Sequence, residues 1–189
     1  RRVRRAPSIA YDTPNPTYGG YATYDDAYMY NGKIDRFSWK MIGKKEMYVP
    51  YNCYGIESAS MDDVCTPHHT NPELIRWELH RVWENEATLK QGKRHCYGKR
   101  VFFQDEDSWQ VLLKDNYDTR GSLWRMAFAM SKQMYDIPSY RQRSTHMYDL
   151  QVDTYCATQL NQNMPKNTYE VITPWDFFTP QSVRKLGKR

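Results

Sequence analysis

The sequence predicts a β-rich α+β fold, a large curved antiparallel sheet with few helices. Two observations predict it. Between Ile75 and Met134, successive runs alternate side to side with the period of a strand that has one buried face. Much of the apolar content is also aromatic, with 16 Tyr, 6 Trp and 6 Phe among 189 residues. That composition suits pleated surfaces better than helical bundles.

Taken in order, residues 1–33 are rich in Tyr, Pro, Gly and Asp. They read as an extended arm lying on a neighbour, and residues 34–189 as the β domain. Phe37 to Val49 reads as one or two strands, stopped by Pro50. Tyr51 to Thr70 reads as a loop with a single turn at Met61-Asp62-Asp63-Val64. The first long strand then carries Ile75, Trp77, Leu79, Arg81 and Trp83 on one side and Glu78, His80 and Val82 on the other. Lys90-Gln91-Gly92-Lys93 breaks it with a glycine suited to a hairpin. Asp105-Glu106-Asp107 ends the second strand, and Asp115 to Gly121 ends the third with turn residues.

The fourth run, Ser122 to Met134, places Trp124, Met126, Phe128 and Met130 opposite Leu123, Arg125, Ala127 and Ala129. A helix over Leu123 to Tyr135 is the competing reading, since that stretch lacks Gly and Pro. The fifth run spans Thr145 to Ala157, with His146, Tyr148, Leu150 and Val152 on one side. Residues 159–168 read as a loop and Tyr169 to Ile172 as a short strand. Thr179-Pro180 to Gly187 has the N-cap, N1 proline and terminal glycine of a short helix.

The formal net charge is +5, with basic runs at both ends (Arg1, Arg2, Arg4, Arg5; Arg184, Lys185, Lys188, Arg189). No zinc-finger spacing, RNA-recognition signature or helix-turn-helix pattern accompanies them, so nucleic acid is not the expected partner. No stretch is apolar for the roughly 20 residues of a membrane-spanning helix. An N-terminus reading Arg-Arg-Val-Arg-Arg suggests the C-terminal part of a longer precursor. Four cysteines, Cys53, Cys65, Cys96 and Cys156, allow three pairings. Cys53 with Cys65 closes the shortest loop and would leave Cys96 with Cys156; four free thiols is the alternative.

The chemistry-bearing clusters are weak. Cys65, His68 and His69 lack the second ligand pair of a structural zinc site. Asp105, Glu106 and Asp107 lack the remainder of a calcium loop, and no metal or cofactor is expected. Glu78 and His80 share a strand face and could do acid–base work, yet a polar surface row has the same appearance. His80 could also meet His95 across the hairpin. No nucleophile elbow, phosphate loop or dinucleotide fingerprint is present, so no enzyme is expected. The aromatic and methionine rows read as core or as the wall of a cavity. The candidate wall residues are Trp77, Trp83, Phe103, Trp109, Trp124, Met126 and Phe128.

Several segments resemble a bacterial outer-membrane lipoprotein-sorting-like family built on a domain of unknown function. They are RRVRRAP at Arg1 to Pro7, Tyr11 to Pro14, WKMIGKKEMYVPY from Trp39 and RWELHRVWENEAT from Arg76. KRHCYGKRVFFQDEDSW from Lys93, DNYDTRGSLWR from Asp115, and Asp176 to Pro180 complete the set. The resemblance implies kinship with lipid carriers of the LolA/LolB type, whose fold is an incomplete barrel around an apolar cavity, so the curved sheet of residues 34–189 is expected to form an incomplete (half) barrel. It also implies a periplasmic or outer-membrane-associated setting in a Gram-negative cell. The partners it implies are a lipid or other hydrophobic molecule, a resistance-nodulation-division exporter, an outer-membrane companion protein, and the N-terminal part of the same precursor. The function expected is therefore non-enzymatic binding or transport of a hydrophobic molecule. The alternative is a structural subunit of a membrane or surface assembly.

Overall fold

The computed structural model describes residues 8–160, 162 and 173–187. Seven strands, β1 (Phe37–Pro50), β2 (Trp77–Leu89), β3 (Lys99–Asp105), β4 (Val111–Tyr117), β5 (Leu123–Met134), β6 (Ser139–Asp149) and β7 (Thr154–Thr158), form one sheet in sequential order. Every pairing is antiparallel. Hairpin connections suffice for such a meander, and local side chains shape the turns. Asp118 Oδ1 accepts the N–H groups of Arg120 and Ser122 at 2.9 Å each. Gly98 packs so closely under this turn that a Cβ there would sit 2.8 Å from the Asp118 carbonyl oxygen.

The ladder fixes which side chains share a face. Val101 lies opposite Asp115, and Phe103 opposite Leu113. Leu113 then faces Phe128, and Asp115 faces Met126, while Phe128 and Met126 oppose His146 and Tyr148. Arg100, Phe102, Lys114, Asn116, Arg125 and Ala127 point to the other side. β1 reaches β4 and β5 across the first of these faces, where Val49 clusters with Val82, Leu112 and Leu113. The sheet is thus curled, and this face is its inside.

The structure revises four sequence readings. The run from Thr145 to Ala157 is two strands, broken at Leu150 to Asp153. Asp149 Oδ1 accepts the Gln151 N–H at 3.2 Å, and Asp153 takes φ +52. The third strand continues through Asp115 to Tyr117 before its turn. A short helix, α1 (Tyr54–Ser58), occupies part of the stretch read as loop, while the single turn read at Met61 to Val64 is α2 (Met61–Val64). Their Cys53, Ile56 and Val64 pack with Met130 of β5. Lastly, Ala10 to Lys33 is not extended throughout. It forms 3-10 turns at Pro16–Tyr18 and Tyr24–Met29 and belongs to the same compact unit as the sheet, Ala10–Asn163.

A second unit comprises Arg1–Ile9 and Met164–Arg189. Within it, α3 (Pro180–Leu186) starts as its sequence predicts, with Thr179 Oγ1 accepting the Ser182 N–H at 3.2 Å. The strand read at Tyr169 to Ile172 lies outside the described residues, as do the basic residues Arg1 to Arg5.

Candidate functional site

The inside of the sheet is only partly filled. Beside the cluster around Val49, and sharing Phe103 and Leu113 with it, lies a cleft of about 290 Å³. Met47, Trp77, Phe103, Leu113, Asp115, Met126 and Phe128 line it, and Lys114 and Ala127 also border it. Phe128 is its centre: the Trp77 ring meets it edge-on at 5.6 Å and Tyr148 packs at 5.2 Å. Aromatic and methionine side chains dominate this lining, as in sites for apolar ligands.

One lining group is out of character. The Asp115 carboxylate accepts no hydrogen bond and forms no ion pair among the described residues. The neighbouring cations are engaged elsewhere. Lys45 Nζ pairs with Glu84 at 2.8 Å and sits 4.4 Å above the Phe103 ring. Lys99 Nζ lies 3.9 Å from Glu86 and 4.2 Å above Tyr117. Burial pushes the Asp115 carboxyl above the usual carboxylate range. Lys45 and Lys99 oppose this and Glu84 adds to it.

The polar pair singled out in β2 has a different task. His80 Nδ1 lies 3.0 Å from Asp105 Oδ1, and its Nε2 lies 3.7 Å from Glu78. Tyr51 stacks on the imidazole at 4.0 Å. The second Asp105 oxygen accepts the backbone N–H and hydroxyl of Ser108 at 2.8 and 2.6 Å. This cluster anchors the β3–β4 turn. His80, Asp105 and Asp107 bring ligand atoms within 4.8 Å of one another, whereas Cys65, His68 and His69 form no such group among the described residues. His95 is not near His80. Its Nδ1 accepts the Tyr97 N–H at 3.0 Å, so Nε2 carries the proton and donates to Asp25 at 3.1 Å.

That contact belongs to a charge network on the outer face, which sequence reasoning did not find. Arg100 donates to Asp25 and to Asp26, each at 2.7 Å. Lys114 donates to Asp26 at 2.6 Å and to the Met29 carbonyl at 2.8 Å. Tyr97 donates its hydroxyl to Asp26 at 2.9 Å, and Arg100 Nε reaches Asn116 at 3.1 Å. Arg100, Lys114 and Asp26 are each 0% exposed. Burial pushes the Asp26 carboxyl up, but Lys114 and Arg100 outweigh it and hold the group well below the ordinary range. The strands thereby clamp the 10–33 segment against the back of the cleft.

Of the seven predicted wall residues, the structure brings Trp77, Phe103, Met126 and Phe128 together around the cleft. It places the other three elsewhere. Trp83 sits under Lys44, whose Nζ is 4.4 Å from the ring. Trp109 is 64% exposed in the β3–β4 turn. Trp124 donates its indole N–H to Asp149 at 3.0 Å, beneath the Arg125 guanidinium at 4.1 Å. Met47, Leu113 and Asp115 complete the wall. Met47 was legible as an apolar position in β1, whereas Asp115 was disguised as a turn residue. The four cysteines are free thiols in this structure. Cys53 is buried, Cys65 exposed, and Cys96 and Cys156 half-buried.

Among the described residues no helix is long and apolar enough to cross a membrane. Comparison with known proteins finds an uncharacterized protein of Pseudomonas aeruginosa, PA3922, that is 43% identical over 195 aligned positions. The alignment takes in all of this chain and 42% of that protein, so the chain spans less than half the length of its relative. Two crystal structures share the fold. One is a DUF1329 family protein from Desulfovibrio piger, with a TM-score of 0.51, 14% identity and coverage of 93% of this chain and 57% of that one. The other is a putative outer membrane lipoprotein-sorting protein domain from Vibrio parahaemolyticus, with a TM-score of 0.50, 13% identity and coverage of 92% and 58%. A family model described as "Protein of unknown function (DUF1329)" matches residues 1–184, and the chain belongs to that family.

Proposed function

We propose that this chain binds a lipid or other hydrophobic molecule and passes it on without chemical change. The observation that carries the reading is the cleft between β1 and β5: an apolar wall on the inside of an incompletely filled sheet. Burial of apolar ligand surface there contributes roughly 25 cal/mol per Å². The setting that fits is the periplasm or the outer membrane. A resistance-nodulation-division exporter, an outer-membrane companion protein and the remainder of a longer precursor are the expected partners. The sorting role in the name of the Vibrio parahaemolyticus domain is consistent with this reading.

A structural subunit of a membrane or surface assembly is the second reading. It is favoured by apolar side chains left exposed at one edge of the sheet, Tyr48 of β1 opposite Leu79 of β2, and Met41 farther along β1. Native mass spectrometry of protein purified from its own membranes separates the two. The carrier predicts a stoichiometric apolar molecule that organic extraction removes and that Phe128→Asp abolishes. A ligand-free mass found only within a larger complex contradicts the carrier and supports the assembly role.

A further inference from the structure

The cleft pairs an apolar wall with a single carboxylate, Asp115, that no hydrogen bond or ion pair engages among the described residues. Met126 lies opposite Asp115 across the β4–β5 ladder, and Val101 lies opposite it on β3. Asp115 therefore stands among apolar side chains while facing the cavity. Asp115 is half-buried, and its carboxylate has no protein donor among the described residues. Lys45 and Lys99, the cations nearest to hand, are committed to Glu84 and Glu86. With those two pairs neutral in sum, Asp115 leaves the polar end of the cleft with an excess of one negative charge.

We infer that the cleft selects an amphiphile whose head group donates hydrogen bonds to Asp115, a primary ammonium best and a hydroxyl next, and that it rejects a carboxylate head. This rests on the binding role proposed above and adds the class of molecule bound. A donor head satisfies an acceptor that folding left open, and an ammonium also neutralises its charge. An anionic head meets like charge at short range beside a half-buried carboxylate. The volume of about 290 Å³ lies at the small end for ligand sites and suits one chain or a compact ring system rather than a two-chain lipid.

The test is calorimetric titration at pH 7 with decylamine, 1-decanol and decanoate, each below its micelle concentration, so that only the head group differs. The expected order is amine, alcohol, carboxylate, with the amine at least tenfold tighter than the carboxylate. Asp115→Asn is expected to bring amine and carboxylate within about twofold while the alcohol still binds. Equal binding of all three by the unaltered protein, or preference for decanoate, overturns the head-group assignment and leaves the apolar cleft standing. Binding of none overturns the cleft reading as well.

Discussion

Replacing Asp26 by Asn keeps the shape of the side chain and removes the charge that Arg100 and Lys114 share. In the intact protein Asp25 and Asp26 balance these two cations behind the cleft. After the replacement one cation is left in excess, at a site where Arg100 and Lys114 have no access to water. Breaking a buried pair in this way costs about 3–5 kcal/mol, because an uncompensated charge is left behind. Against a domain stability of about 5–15 kcal/mol, that is a large fraction. It corresponds to a fall in Tm of about 6–20 °C for a chain of this size. The partly exposed pair between Arg36 and Asp12, 3.4 Å apart, is the control. Asp12→Asn is expected to cost less than about 1 kcal/mol. The double change Asp26→Asn with Lys114→Met removes the orphaned ammonium and is expected to recover at least half the loss. Urea unfolding followed by near-ultraviolet circular dichroism measures all three, and limited proteolysis within residues 10–33 reports release of the clamped segment. A cost below about 1 kcal/mol for Asp26→Asn, or no recovery in the double variant, would refute the view that this network holds the segment on the sheet.

Two further outcomes are expected. Burial holds the His146 pKa down at about 4, against 6.5 for the free side chain. The unfolded chain therefore takes up a proton between these values while the folded one does not, and stability falls as pH drops from about 6.5 towards 4, by up to about 3 kcal/mol. His146→Gln should flatten this slope in urea midpoints taken at pH 7.5 and pH 5.0, and an unchanged slope counts against the assignment. The thiols should also divide by environment. Burial pushes Cys53 up to about 11 and Cys96 up to about 12, whereas Cys65 is exposed. Maleimide labelling with peptide mapping should find Cys65 modified first, with Cys53 and Cys96 protected until unfolding. A disulfide at Cys53–Cys65 in the purified protein contradicts this order.

The long strands were legible because β2 to β5 repeat an apolar position every second residue, and because Gly92 and Asp118 mark turns. The cap of α3 was legible for the same local reason, with Thr179, Pro180 and Gly187 at their expected places. What failed were features decided across the fold. Leu150 and Val152 continue the alternation of β6, so only the Asp149 turn bond, invisible in the pattern, ends the strand. Arg100 and Lys114 occupy polar positions that look solvent-facing until the 10–33 segment brings Asp25 and Asp26 onto them. Asp115 sits beside Asn116 in a string of turn residues, and only the ladder to Met126 turns it into the cleft. Trp83 and Trp124 show the converse error: size and aromaticity suggested a wall, but Lys44 and Asp149 had already engaged them.

The central claim is that the inside of this sheet is a ligand cleft rather than an imperfectly packed core. The most direct measurement is fluorescence titration with N-phenyl-1-naphthylamine, a neutral dye that brightens in apolar surroundings. The account predicts one saturable site per chain, lost in Phe128→Asp and retained in Trp109→Ala, with both variants shown to be folded by circular dichroism. Absence of saturable binding by the unaltered protein, or equal binding after Phe128→Asp, would contradict it.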